Sequence, residues 1–215
     1  MRSSGTKLFH KSQARIRSET ANVSAVPENE RGARARTRQA ILSAAIEVLG
    51  QNPNAALSDI AAAAEVGRTT LHRYFPERSD LLRAVAAEGS ARLDRATASA
   101  RLEEGTGCEA LLRLCREYFD LGSLLSLIFT DPDCMSDATP IVDDGCDDRF
   151  TTMINRGHRD GTIDTGLPAP WLSSLMWSQL YAGWSYITQH NASRHEVLDL
   201  LVRTVDGAVT PRTTN

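Results

Sequence analysis

The sequence has few of the features that mark membrane, secreted or metal-binding proteins. No apolar run approaches the roughly 20 residues of a membrane-spanning helix, and the N-terminus lacks the uninterrupted apolar core of a secretory signal. The four cysteines form no Cys-x-x-Cys pair, and no Cys/His cluster has zinc-ligand spacing. We therefore expect a cytoplasmic protein with reduced thiols, without a bound metal or other cofactor.

The alternation of apolar and polar residues that indicates β-strands is also lacking. Apolar residues recur instead three or four positions apart, between breaks rich in Gly, Pro and Asn, and this spacing indicates helices. The predicted helices span residues 33–50, 58–64, 68–74, 79–102, 107–121, 122–130, 138–159, 168–190 and 193–208. The expected fold class is all-α, with about nine helices.

Basic and acidic residues are unevenly distributed along the chain. Basic residues outnumber acidic ones in residues 1–82, and acidic residues outnumber basic ones in the remainder. This asymmetry favours a polyanion-binding module at the N-terminus, although an uneven solvated surface would give the same pattern. Residues 1–31, which hold six Lys/Arg and few large apolar residues, are predicted to be a flexible basic tail.

Residues 58–82, SDIAAAAEVGRTTLHRYFPERSDLL, contain two short helices separated by a turn. Ser58 and Ser79 are placed to cap helix N-termini with their side-chain oxygens. One side of the second helix is polar, with Arg68, Thr69, His72 and Arg73, and the other side carries Leu71, Tyr74 and Phe75. This pattern is typical of a helix-turn-helix, whose second helix is sized to enter the DNA major groove.

This segment resembles the tetracycline-repressor (TetR) family of transcriptional regulators. The matching positions are Ile60, Ala61, Ala64, Val66, Thr70, Leu71, Tyr74, Phe75, Arg78, Leu81 and Leu82. The resemblance implies a helix-turn-helix domain of three helices at 32–78 and a helical effector-binding and dimerisation domain at 79–210. Glu65, Gly67 and His72 depart from the family's usual turn glycine, capping serine and tyrosine, and Glu65 is expected to be strained in a left-handed turn.

The resemblance and the helix-turn-helix pattern together predict residues that contact DNA. Arginine forks suit guanine edges or phosphates, and threonines suit close approach to a groove wall. Ser58 and Arg78 are expected to hold the phosphate backbone rather than to read bases. The predicted DNA-binding residues are Thr37, Ser58, Arg68, Thr69, Thr70, His72, Arg73, Tyr74 and Arg78. An arginine on an exposed helix face is, in the alternative interpretation, simply solvated.

Aromatic residues are scarce, yet all three tryptophans lie within 168–190, in a helix that is apolar on most sides. The resemblance implies that this helix and 193–208 pair with their copies in a dimer. The predicted dimer-interface residues are Leu172, Leu180, Trp184, Ile187, Leu198, Leu201, Val202 and Val205. The predicted effector pocket is lined by Tyr118, Phe119, Phe129, Met153, His158, Trp177 and Tyr181, with plain core as the alternative.

The expected function is sequence-specific DNA binding by a homodimeric transcriptional regulator. We expect a repressor that leaves a palindromic operator when a small apolar or aromatic effector tilts helix 79–102. The alternatives are a thiol-redox sensor using Cys134 and Cys146, a divalent-metal sensor using the seven aspartates of 131–148, and an all-helical enzyme. The sequence places no nucleophile beside a base and contains no phosphate loop, which disfavours the enzyme.

Overall fold

The computed structural model describes residues 28–130 and 148–211, with side chains from residue 32 onward. Two units are distinguished, residues 1–38 and residues 39–215. The predicted boundary between a DNA-binding and an effector-binding domain after residue 78 stays a prediction. The predicted tail, residues 1–31, lies outside the described residues except for its last four, which are helical.

Nine helices and no strands make up the described part of the chain, which confirms the all-α prediction. The helices are α1 (Glu28–Gln51), α2 (Leu57–Ala63), α3 (Arg68–Tyr74), α4 (Arg78–Ser99), α5 (Gly107–Phe119), α6 (Ser123–Thr130), α7 (Asp148–Asp160), α8 (Ala169–His190) and α9 (Arg194–Val209). Helix α1 begins five residues before its predicted start. The sequence did not indicate these residues, because the first turns of the helix have no apolar period. None of these helices is both long and apolar enough to cross a membrane.

The N-termini of α2 and α4 are capped differently from the prediction. Helix α2 is preceded by Ala56, whose amide donates to Asp59 Oδ2 at 3.1 Å. Helix α4 is preceded by Glu77, whose amide donates to Asp80 Oδ2 at 3.2 Å. Ser58 and Ser79 therefore lie inside these helices. An aspartate in the first helical turn accepts from the amide before it, and this interaction replaces a serine cap.

One part of the apolar core of the 39–215 unit is built from residues of α1, α2 and α3. The buried side chains are Ile41, Leu42, Ile46, Leu49, Ile60, Leu71 and Phe75, each no more than 3% exposed. They recur at the three- and four-residue spacing that the sequence displays. Each contributes about 1.5–3 kcal/mol of transfer free energy, so this core holds the two short helices α2 and α3 in place.

Helices α5 to α9 supply another part of the same apolar core, in which α8 packs against α9, α5, α6 and α7. A methyl group at Gly183 of α8 would lie 3.3 Å from Val197 Cγ1 and 3.2 Å from Phe119 Cε2, so the three helices meet closely here. Four predicted dimer-interface residues belong to this core, at 0–3% exposure. They are Leu172, Leu180, Leu201 and Val205. Their assignment to a dimer surface is corrected, because their side chains are buried within one protomer.

Candidate nucleic-acid interface and aromatic cluster

The turn between α2 and α3 has the backbone that the sequence predicts. Glu65 adopts φ +54°, the left-handed conformation that L side chains disfavour. It follows Ala64, and the Val66 amide donates to the Ala61 carbonyl at 2.9 Å. Gly67 has an extended backbone (φ −68°, ψ 149°) and is the N-cap of α3. The turn thus ends α2 and starts α3 within four residues, 64–67.

Helix α3 presents a polar surface to solvent. Arg68, Thr69, His72 and Arg73 are exposed, whereas Leu71 is buried. Thr70 and Tyr74 are half-buried, and the Arg73 guanidinium lies 5.7 Å from the centroid of the Tyr74 ring. The structure therefore brings the predicted base-contacting side chains of α3 onto one accessible face.

A cleft of about 180 Å³ separates α2 from α3. It is lined by Leu57, Ser58, Arg68, Leu71 and His72. An arginine, a histidine and a serine hydroxyl thus converge around one surface depression, with an apolar floor. This arrangement suits an anionic oxygen such as that of a DNA phosphate.

Two of the predicted DNA-binding residues have interactions within the protein. Arg78 donates from Nη1 to the Ala55 carbonyl at 2.6 Å and from Nη2 to the Pro53 carbonyl at 2.9 Å. These bonds tie the start of α4 to the loop before α2, so Arg78 has a structural role that the sequence did not reveal. Thr37, in the other unit, donates from Oγ1 to the Ala33 carbonyl at 3.0 Å.

Helix α4 also contacts α1 through a polar network around Glu88. Gln39 donates to Glu88 Oε1 at 3.0 Å, and Arg92 donates to the same oxygen at 2.9 Å. Arg92 additionally donates to Ser43 Oγ at 2.9 Å. Burial opposes ionisation of Glu88, but the hydrogen bonds from Arg92 and Gln39 and the charges of Arg92 and Arg95 outweigh it, so its pKa lies below the ordinary value.

Five aromatic side chains from three helices form what we term the aromatic cluster: Tyr118 of α5, Phe129 of α6, and Trp177, Tyr181 and Trp184 of α8. Tyr118 and Trp177 have ring centroids 5.4 Å apart. Phe129 lies 5.3 Å from Tyr181 and 5.8 Å from Trp184. These separations are typical of interacting aromatic pairs. Four of the seven predicted pocket residues are thus brought together.

The other three predicted pocket residues have different surroundings. Phe119 is buried against Val197 and Leu201, next to Gly183. Met153 is buried where α5 and α7 cross so closely that a methyl group at Gly107 would lie 2.3 Å from Gly157 Cα. His158 donates from Nε2 to the Leu167 carbonyl at 3.1 Å. None of the three has a ring contact with the aromatic cluster among the described interactions, so their place in an effector pocket stays a prediction.

Three members of the site were not predicted as such from the sequence. Trp184, assigned to the dimer interface, belongs to the aromatic cluster and donates from Nε1 to Ser126 Oγ at 2.6 Å. Thr97 of α4 donates to the Leu93 carbonyl, so the Tyr118 hydroxyl, 2.9 Å away, donates to Thr97. The spacing of Trp177, Tyr181 and Trp184 along one stripe would have identified Trp184, but no sequence pattern marks Ser126 or Thr97.

The described thiols are buried. Cys108 and Cys115 of α5 are not paired in a disulfide. Burial raises the pKa of both to about 12, and for Cys108 the hydrogen bond to Asp206 and its charge add to the effect. Cys134, Cys146 and most of the aspartate-rich segment lie outside the described residues. Among the residues that the structure describes, no group of three His, Cys, Asp or Glu side chains is placed to hold a metal ion.

The fold and the polar face of α3 define a helix-turn-helix DNA-binding protein, and comparisons with known proteins name its family. The family model described as "Bacterial regulatory proteins, tetR family" matches residues 41–85. The chain is 37% identical over 191 residues to the HTH-type transcriptional repressor LfrR of Mycolicibacterium smegmatis, covering 87% of this chain and 98% of that protein. The chain therefore belongs to the TetR family and is a DNA-binding transcriptional regulator rather than an enzyme.

Solved structures support the same assignment. The crystal structure of the TetR-like regulator LfrR from Mycobacterium smegmatis has a TM-score of 0.62 and 34% identity, covering 83% of this chain and 98% of that one. Its complex with proflavine has a TM-score of 0.61 and 32% identity, covering 83% and 99%. A TetR family regulator from Marinobacter aquaeolei, at 20% identity and a TM-score of 0.59 over 85% of this chain, shares the fold.

Proposed function

We propose that this chain is a homodimeric cytoplasmic repressor that binds a palindromic operator through α3 and is released by a planar aromatic effector. The observation that carries the proposal is the aromatic cluster, whose Tyr118 is hydrogen-bonded to Thr97 of α4. Helix α4 follows the helix-turn-helix directly. Its first residue, Arg78, is hydrogen-bonded to the loop that precedes α2. A ligand that displaces Tyr118 would thus act on the helix that carries the DNA-binding surface.

Base recognition is assigned to the exposed side chains of α3. Arg68 and Arg73 offer planar guanidinium forks that suit the O6 and N7 atoms of guanine. Thr69 and His72 lie on the same face and can contact bases or phosphates. Ser58, half-buried in the cleft with Arg68 and His72, is assigned to the phosphate backbone, and Thr70 and Tyr74 border this surface.

The effector class follows from the chemistry of the cluster. Aromatic rings interact with planar ligands through stacked and edge contacts, and their faces also attract cations. The relative LfrR has been crystallised with proflavine, a planar molecule. Helices α5, α6 and α8 supply five rings at this site, so we infer that a planar, cationic aromatic molecule is the effector class to test first.

Dimerisation is proposed from the surface of α8 and α9. Trp171, Tyr181 and Tyr186 of α8 and Leu200 of α9 are each at least 44% exposed. Of the residues first assigned to the interface, Ile187, Leu198 and Val202 are half-buried and remain available at the surface. Large exposed apolar side chains on adjacent helices are typical of a protein–protein contact surface.

The DNA-binding proposal is tested by selecting duplexes from a random pool and measuring affinity for the selected site. Arg68→Ala and Arg73→Ala are expected to weaken binding at least about tenfold and to relax preference at defined base pairs, because a bidentate arginine contact is worth about 1–3 kcal/mol of discrimination. Arg116→Ala, which removes an exposed arginine from α5, is the matched control. An unchanged preference in both α3 variants would contradict the assignment.

The effector proposal is tested with proflavine as the probe. Proflavine is expected to bind the protein, followed by its fluorescence, and to release the selected duplex. Trp177→Ala should weaken proflavine binding, because Trp177 contacts both Tyr118 and Phe129. Ser174→Ala, which removes an exposed hydroxyl from the same helix outside the aromatic cluster, should not. Binding without release of the duplex, or no binding by the native protein, would exclude this effector class.

A further inference from the structure

Helix α6 lies directly against the C-terminal end of α1 at Gly50. A methyl group at Gly50 would be 2.7 Å from the Ser123 carbonyl oxygen and 3.2 Å from Ser126 Cβ. The first distance is shorter than Cβ atoms adopt, so only glycine fits without a shift of backbone. Gly50 has no side chain that could change rotamer and absorb a shift of α6. A displacement of α6 must therefore reach the backbone of α1.

The same helix also contributes to the aromatic cluster. Ser126 accepts a hydrogen bond of 2.6 Å from Trp184 Nε1, across 58 residues of sequence. Phe129, one turn further along α6, lies 5.8 Å from the Trp184 ring. Ser126 thus touches the cluster through its hydroxyl while its Cβ borders the site of Gly50.

We propose that Ser126 is a positioning residue that couples the aromatic cluster to α1, and so to the helix-turn-helix, through α6 and Gly50. This route is separate from the hydrogen bond between Tyr118 and Thr97, which reaches α4. The inference rests on the proposed function for the role of the cluster as the effector site. Because coupling between two sites is reciprocal, DNA binding at α3 must alter the surroundings of Trp184.

The reciprocal effect allows a test without any effector. Trp171→Phe and Trp177→Phe leave Trp184 as the single tryptophan of the chain. In this background, the duplex selected by the protein is expected to shift the emission of Trp184. Adding Ser126→Ala should abolish the shift, while the protein still binds the duplex. Adding Ser174→Ala instead, which removes an exposed hydroxyl from α8 outside the aromatic cluster, should leave the shift in place.

A second pair of variants perturbs the other side of α6. Gly50→Ala is expected to change Trp184 emission in the DNA-free protein, because its methyl group displaces α6. Gly207→Ala, on α9, is the matched control, since a methyl group there meets nothing within 4 Å. If removal of Trp177 prevents folding, the Trp184 signal is obtained as the difference between the native protein and Trp184→Phe.

The proposal is overturned if the duplex leaves Trp184 emission unchanged, or if the shift survives Ser126→Ala or is lost equally in Ser174→Ala. Failure of the proposed effector is seen separately, by titrating the native protein with proflavine. A Trp184 shift that depends on Ser126 in a protein that does not bind proflavine would support the coupling and reject only the effector class.

Discussion

A single residue in the DNA-binding domain departs from the backbone conformation that its side chain prefers. Glu65 has φ +54° in the turn between α2 and α3. This conformation costs a non-glycine residue roughly 1 kcal/mol or more. The turn nevertheless forms because the core residues on both sides, Ile60 and Leu71, are fully buried and fix the two helices.

Relief of this strain is expected to stabilise the protein. Glu65→Gly should raise the free energy of unfolding by about 0.5 kcal/mol, since the relieved strain is partly offset by the greater freedom of glycine in the unfolded chain. Glu77→Gly is the control, because Glu77 has φ −115° and glycine there brings only the entropic loss. Urea unfolding measures the unfolding free energy of each variant. A loss of stability in Glu65→Gly as large as that in Glu77→Gly would be inconsistent with strain.

The buried thiols give a second prediction at the residue scale. With pKa values of about 12, Cys108 and Cys115 are almost entirely protonated at pH 8 and should not react with iodoacetamide in the folded protein. In a Cys134→Ser/Cys146→Ser variant, mass spectrometry is expected to find label only after denaturation. Labelling of the folded variant would show that α5 opens and that these two thiols are accessible.

At the scale of helices, the apolar period predicted which segments are helical but not how each one begins or which side it buries. The period of Ile41, Leu42 and Leu49 marks α1 because these side chains fill one core. The start of α1 at Glu28 was missed because its first turns have no apolar stripe. Serines were assigned as caps of α2 and α4, whereas Asp59 and Asp80 perform that role from within the first turn.

The assignment of α8 shows why sequence alone cannot separate core, pocket and interface. All three environments select large apolar residues at helical spacing. Leu172 and Leu180 were assigned to a partner but are buried in the protomer, while Trp184 faces the cluster. Distinguishing them requires the directions from which α5, α6 and α9 approach. Those directions are set by residues far apart in sequence, such as Gly183 and Phe119.

The contact between α1 and α4 should be sensitive to acid through Glu88. Its folded-state pKa is lowered, so its contribution is present above the ordinary value of 4.5 and is lost as the pH falls through the folded pKa. Glu88→Gln is expected to reduce the unfolding free energy by about 1–2 kcal/mol at pH 7. The difference from the native protein should shrink below pH 4.5.

The comparison requires urea unfolding of both proteins at pH 7 and at several values below 4.5. Glu103→Gln, in the exposed loop after α4, is the matched control and should leave stability unchanged across this range. If Glu88→Gln lowers the unfolding free energy by the same amount at every pH, packing rather than charge accounts for the role of Glu88.

On the scale of the whole molecule, one copy of α3 is too short to specify a long operator. Helix α3 has seven residues, and Arg68, Thr69, His72 and Arg73 are its exposed polar side chains. Two copies about 34 Å apart would reach successive major grooves and double the number of bases read. The exposed apolar residues of α8 and α9 supply a surface for such pairing, so assembly and DNA recognition are expected to depend on each other.

A variant that prevents pairing therefore has a defined expected effect. Tyr186→Glu with Leu200→Glu places two charges on side chains that are each 44% exposed, without changing the protomer core. We expect this protein to sediment as a monomer and to bind the full palindrome about 10²-fold or more weakly, because the second α3 is no longer held at high effective concentration. Thr165→Glu, in the exposed loop before α8, should remain dimeric and bind normally. Affinity for a duplex with a single half-site should be alike in all three proteins, since each keeps an intact α3. A monomer that binds the palindrome as tightly as the native protein would show that DNA recognition does not depend on dimerisation.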